Sequence, residues 1–376
     1  MLDVKTTRVI DISRYLADPQ KAETECRQIA WALENLGVVV IRDPRLPVKL
    51  NSRFQRMMEQ YFRQSEMVKK LDERLDLGHQ VGWTPSFEER PKNRSGIIAG
   101  FHPNHRPYRI IGKDPKERFF IPVGERPPHT KYSRLNAPPV IPTSFPQWEK
   151  VTGEWSASML QAIMTVCEMT AVGFGVQPNL FTKRMRYGPH LLAPTGSDLK
   201  KYGRPGTVLA GFHDDLNLLT GHGQANFPGL FAWTRQGERF AVEVPDGCLL
   251  MQAGQQMEYL TGGRVLCGLH EVVVTPEMQT AIQSALQKGE TPWRVTSTLF
   301  AHISSDEILE PLSLFKSGEA GGKFPPMEAG EQVAREIRLL ELDSTIAPAG
   351  QNQNWLQKAF DKLKTFIKNI FQNYLV

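Results

Sequence analysis

Between Arg184 and Ile303 the chain breaks into short β-rich runs separated by turn residues: GTVLAGF, GLFAW, RFAVEV, GCLLMQ, VLCGLHEVVV and RVTSTLFAHI. Six strand-length runs in about 100 residues predict an all-β sandwich or barrel. No GxGxxG or GxxxxGK(S/T) loop accompanies them, so a nucleotide-binding fold has no support.

The flanks read differently. Asp18-Pro19 suits an N-cap and first helical residue, and Ala22, Cys26, Ile29, Ala30, Leu33 and Leu36 recur at helical spacing up to Gly37. This predicts a helix of about 17 residues. Val38-Val39-Val40-Ile41 follows as a short buried strand, and Leu50, Phe54, Met57, Met58, Tyr61 and Phe62 mark a second helix. From Gly78 to about Pro146 the Pro, Gly, Arg and His content predicts long ordered loops. A long helix should then run to Gly173 with Trp148, Val151, Trp155, Met159, Ile163 and Val166 on one face.

With 376 residues, 40% of them hydrophobic and 23% charged, the chain is neither disordered nor fibrous, and its length allows two or three units or one large β architecture. A net charge of +5 makes no case for nucleic acid. Cys26, Cys167, Cys248 and Cys267 form no CxxC pair or disulfide framework. The N-terminus lacks a signal-peptide pattern and no apolar run is long enough to span a bilayer, so the expectation is a soluble cytoplasmic protein.

Within the β region, His213 and Asp215 lie two residues apart on a strand, which puts both side chains on one face. His270 follows 57 residues later on another predicted strand, and an imidazole from a facing strand would complete a 2-His-1-carboxylate triad. That triad binds one face of an octahedral metal and leaves three positions open, the arrangement of non-haem Fe(II) oxygenases.

The order of the surrounding segments carries more information than the triad alone. His213, Asp215, Leu219-Thr220, Gly229-Leu230, Gly254-Gln255, Leu260-Thr261-Gly262-Gly263 and His270 fall in sequence, and VIDISRYL, a helix and GVVVIRD precede them. Over roughly residues 8–315 this resembles the isopenicillin N synthase-like family of Fe(II)/2-oxoglutarate-dependent dioxygenases. The resemblance implies a double-stranded β-helix (jelly-roll) core with a helical N-terminal region. It divides the chain into an N-terminal oxygenase region at 7–150, the core with its packing helix at 151–343, and a linker with an amphipathic helix at 344–376.

By the same resemblance His213, Asp215 and His270 are the catalytic metal ligands for Fe(II), and 2-oxoglutarate and O2 are cosubstrates. Arg294-Val295-Thr296 matches the family's Arg-x-Ser, so Arg294 and Thr296 would bind the far carboxylate of 2-oxoglutarate. The expected reaction is hydroxylation, desaturation or oxidative cyclisation of a small molecule, with release of succinate and CO2. An oxidase of the same scaffold that dispenses with 2-oxoglutarate, or a binding protein without turnover, are the rival readings.

Two segments depart from the pattern. Arg294 lies 24 residues after His270, and TPEMQTAIQSALQKGETPW fills the gap as a helical insertion. The family's Asn-x-Tyr is matched by His190-Leu191-Leu192, so with Leu192 in the tyrosine's place one hydrogen bond to the cosubstrate is absent or replaced.

Other candidates are weaker. His102 and His105 form an HxxH in a Pro-rich loop, His222 between two glycines could approach the site mouth but reads first as a turn residue, and Cys267 reads as core. The basic residues Arg106, Arg109, Lys113 and Arg118 read as solvated loop charge that could meet an anionic substrate. In the tail, Trp355, Leu356, Phe360, Leu363, Ile367, Ile370 and Phe371 recur at helical spacing among lysines. Such a helix at 355–375 would dock on its own domain, a second copy of the chain or an anionic membrane surface.

Overall fold

The structure is a computed structural model and describes residues 8–340, except 93, 111 and 317–319. The linker and the helix expected at 355–375 lie outside the described residues.

Fourteen strands make the two principal sheets. They are β1 (Val9–Asp11), β2 (Val38–Arg42), β3 (Gly82–Thr84), β4 (Glu117–Pro122), β5 (Leu191–Leu192), β6 (Thr195–Asp198) and β7 (Val208–Asp214). There follow β8 (Leu219–Gly223), β9 (Leu230–Trp233), β10 (Arg239–Ala241), β11 (Cys248–Ala253), β12 (Leu269–Val273), β13 (Trp293–Val295) and β14 (Thr298–Ala301). The larger sheet runs β1-β2-β11-β8-β14-β5-β4-β6-β13 with β3 beside β4, and the smaller runs β10-β9-β12-β7. From β7 to β13 the chain passes back and forth between the two sheets, the jelly-roll arrangement expected from the sequence.

All six predicted runs contain strands, and RVTSTLFAHI contains two because it changes partners midway. β13 pairs with β6, whereas β14 pairs with β5 and β8. The insertion before β13 is helical, as expected: Pro276–Gln287 starts on a Thr275 cap that accepts from the Met278 amide.

Two local expectations need correction. Asp18 caps only a 3-10 turn, Pro19–Lys21, and the α-helix begins at Glu23 and ends at Leu36, where Gly37 takes a φ of 69°. The stretch from Gly78 to Pro146 is not all loop, because it contributes β3 and the wholly buried β4. Charged residues disguised β4. Glu117 faces outward onto Lys69 (Nζ to Oε2, 2.5 Å) and the Trp83 indole N–H (2.7 Å), a buried pairing with partners remote in sequence.

The Trp148–Gly173 helix forms as predicted and lies across the outer face of the larger sheet. Its Trp155, Met159, Ile163 and Val166 share one core with Leu219, Met251 and Leu299. β2 joins that sheet by pairing with β11, which ties the N-terminal segments to the core. A cavity lined by both polar and apolar side chains opens on the other side of that sheet.

Candidate metal centre and its cavity

β7 and β12 are antiparallel neighbours with His213 directly opposite His270, and the two rings lie 4.0 Å apart between centroids. Asp215 is the first residue beyond β7, with Oδ1 3.8 Å from His213 Nε2. Among the described residues these three form the one group able to share an ion, with one donor atom from each within 4.8 Å of the others.

Each donor is held by the surrounding chain. His213 Nδ1 lies 2.6 Å from the Gly211 carbonyl, which turns Nε2 toward the centre. Gln252 on β11 sets its amide 3.0 Å from His270 Nδ1 and donates to Asp215 Oδ2 at 2.9 Å, while the Thr220 hydroxyl donates to the same oxygen at 2.7 Å. Such outer contacts fix ligand orientation. Burial, reinforced by His213 and His222, pulls the His270 imidazole well below its ordinary pKa, so it is neutral and able to ligate. Burial raises Asp215, against the opposing pull of His213 and Thr220. The intervening Asp214 points away and is held by Arg94 and Gln255. Two imidazoles and a carboxyl group, with one side open to a cavity, suit a divalent iron.

The cavity measures about 540 Å³ and includes the triad, Arg294 and Thr296 in its lining. Arg294, on β13 opposite Ser197, is 6% exposed, and its Nε donates to the Pro228 carbonyl at 3.2 Å. Burial brings its pKa down to about 10, which still leaves it cationic at neutral pH. Thr296 follows β13 and reaches the same cavity, where its hydroxyl oxygen accepts from the Thr195 amide at 3.1 Å and lies 2.9 Å from the Thr195 hydroxyl. A buried guanidinium with a neighbouring hydroxyl is a fit receptor for a carboxylate. Leu192 turns into the core, and Leu191 and Ala193 reach the cavity from that strand.

Several side chains contradict their sequence reading. Arg118 is no loop cation: it is buried on β4, donates to Thr84 Oγ1 and Glu89 Oε2 (3.2 Å each), and lies 4.3 Å from the Phe120 ring centroid. Burial works against the charge on Glu89, yet Lys116 and Arg118 hold its carboxyl down at about 2. Arg106 and Arg109 are exposed as expected. His222 belongs to β8, not to a turn. Cys267 precedes β12 and is half-buried, with Sγ 3.6 Å from Asp214 Oδ2. His105 packs its loop by accepting from the Arg239 amide at 3.0 Å.

Gln252 and Asn226 were missed. Asn226 accepts from the Val295 amide and donates to the Trp293 carbonyl, 2.8 Å each, and so steadies the strand that carries Arg294. A glutamine inside the apolar run CLLMQA was the available signal for Gln252.

A family model described as non-haem dioxygenase in morphine synthesis N-terminal matches residues 8–144. Validamycin A dioxygenase of Streptomyces hygroscopicus subsp. limoneus is 22% identical over 341 residues, covering 87% of this chain and 85% of that protein. The 2-oxoglutarate-dependent dioxygenase 11 of Oryza sativa subsp. japonica is 21% identical over 320 residues, covering 82% and 74%. Neurospora crassa T7H in complex with alpha-KG superposes with a TM-score of 0.71 at 16% identity, over 90% of this chain and 97% of T7H. A putative 2OG-Fe(II) oxygenase family protein from Caulobacter crescentus does so with 0.69 at 20% identity, over 89% and 99%. In sequence and in fold the chain is similar to Fe(II)/2-oxoglutarate-dependent oxygenases. Both named relatives are dioxygenases, one of them 2-oxoglutarate-dependent by name, and T7H carries alpha-KG in its structure. Among the described residues, no single helix is long and apolar enough to cross a membrane.

Proposed function

We propose that His213, Asp215 and His270 hold the iron of this oxygenase and that Arg294, with Thr296, receives the far carboxylate of 2-oxoglutarate. The convergence of three donor atoms within 4.8 Å, from two neighbouring strands and the residue after one of them, in a cavity also lined by a buried arginine, carries this reading. When bound, iron, cosubstrate and O2 together supply a two-electron oxidation that releases succinate and CO2 and ends in hydroxylation, desaturation or ring closure of the substrate.

The chain's own contribution is placement. Gly211, Gln252 and Thr220 keep the three ligands aimed at one point. Arg294 and Asn226 define where the cosubstrate's far end sits. Phe120, Leu191, Phe300, Val333 and Ile337 wall the remaining space and keep water from it, which suits a compact and partly apolar substrate. Anaerobic titration of the purified protein with Fe(II) and then 2-oxoglutarate tests the assignment, with succinate release on admitting O2 and candidate substrates as the second readout. One Fe(II) per chain and 2-oxoglutarate-dependent succinate support it; turnover without 2-oxoglutarate would assign Arg294 to the substrate's carboxylate instead.

The cytoplasm is the compartment that the sequence favours for this enzyme, and the apolar, lysine-flanked residues 355–375 supply a contact for a second copy of the chain or an anionic membrane surface.

A further inference from the structure

The residues Gly221-His222-Gly223 look like a turn but form the end of β8, where His222 pairs with Thr298 on one side and Leu250 on the other. The glycines serve the opposite face of the strand. A Cβ at Gly221 would lie 3.0 Å from Ile163 Cδ1, and one at Gly223 would lie 3.1 Å from the Trp155 ring, so both allow the long helix to approach. Alternation then sends His222 inward, to the wall of the cavity.

Its position there is specific. The ring centroid lies 6.0 Å from that of His270, and the ring shares the wall of the cavity with Arg294. Nδ1 is 3.2 Å from the Thr298 hydroxyl, whereas Nε2 has no hydrogen-bond partner. With the Thr298 O–H donating to Nδ1, a neutral ring carries its proton on Nε2, which is then a donor lacking an acceptor. A buried donor left without an acceptor is destabilising, so the site is suited to a ligand oxygen. β5 provides no competing donor, since Leu192 lies in the core and Leu191 and Ala193 are apolar.

We propose that His222 is a positioning residue for 2-oxoglutarate, its Nε2–H donating to a carboxylate oxygen of the cosubstrate and replacing the hydrogen bond that a tyrosine on β5 would have made. This rests on the reading that the cavity binds 2-oxoglutarate. His222 orients the cosubstrate and takes no proton from it.

The test is an anaerobic equilibrium titration of 2-oxoglutarate into the Fe(II)-loaded full chain, followed by absorption of the iron–2-oxoglutarate chelate, for the parent and His222→Leu, His222→Gln and Thr298→Val. Fe(II) affinity without 2-oxoglutarate is measured alongside. His222→Leu should weaken 2-oxoglutarate tenfold or more and leave Fe(II) affinity unchanged. His222→Gln, whose amide N–H can substitute for Nε2–H, should recover most of that loss. Thr298→Val, which leaves the imidazole in place but frees its tautomer, should weaken binding severalfold. Equal affinity in the parent and His222→Leu overturns the assignment, as does a loss of Fe(II) affinity in step with that of 2-oxoglutarate. Absence of 2-oxoglutarate binding by the parent overturns the reading of the cavity itself.

Discussion

His213 stands on a strand whose backbone already holds its Nδ1, so its truncation removes a ligand without disturbing a neighbour. His213→Ala should reduce bound iron from one per chain to near zero and abolish turnover, which metal analysis of gel-filtered protein will show. At Arg294 the expected effect is on the cosubstrate: Arg294→Lys replaces a planar fork with a point charge, and the KM for 2-oxoglutarate should rise about tenfold or more with folding intact. A third prediction concerns His190 and His302, which lie far from the iron ligands in sequence. Burial, then the Arg126 cation, brings His190 down to about 4, and burial with His190 and Arg126 brings His302 to about 3. Below about pH 6.5 the unfolded chain therefore takes up protons that the folded chain refuses. Stability should be full above that pH and fall as pH drops toward about 4, by on the order of 1.4 kcal/mol per pH unit for each ring. Denaturant midpoints of the metal-free protein at about pH 7.5 and about pH 5 will check the sign, and His302→Gln should flatten the slope. At this scale the HxD pair and the distal histidine were legible because strand alternation and segment order expose them. Gln252 and Asn226 were not, since their partners sit on other strands, and His222 was legible only as a residue that could near the site mouth because flanking glycines imitate a turn.

Among elements, the long helix makes two close approaches that differ in kind. At Gly173 a Cβ would run into the Cys26 carbonyl, which is backbone, whereas at Gly221 it would meet only the tip of Ile163. Gly173→Ala should therefore cost about 3 kcal/mol and Gly221→Ala no more than about 1 kcal/mol, measured by urea unfolding. The opposite ranking would mean that the helix is free to shift along its partner. The same helix was readable from its periodicity, as were Gly37 and the Pro276–Gln287 insertion from their capping residues. β4 was unreadable for an energetic reason: its Glu117 and Arg118 are tolerable in a buried strand only because Lys69 and Glu89, far off in sequence, neutralise them. The Asp18 helix start failed because a capping side chain specifies the first turn and not its continuation past Ala22.

For the molecule as a whole, the larger sheet combines strands from both ends of the first 300 residues, so the cavity depends on the complete core. Truncation after Leu342 should leave iron and 2-oxoglutarate affinity unchanged, as the ligands and Arg294 are all upstream. Light scattering and liposome flotation of the full and shortened chains will show whether 355–375 carries an association. The Ala329–Leu339 helix is a different matter. Val333, Ile337 and Leu340 roof the cavity, Gln332 donates to the Leu216 carbonyl at 2.9 Å, and Glu336 accepts from the Gln255 amide at 3.0 Å, the same amide that donates to Asp214. During synthesis this roof emerges after every iron ligand. If the triad holds iron as proposed above, a nascent or clipped chain lacking this roof would collect metal at a centre open to solvent, and the first substrate within reach would be the protein itself.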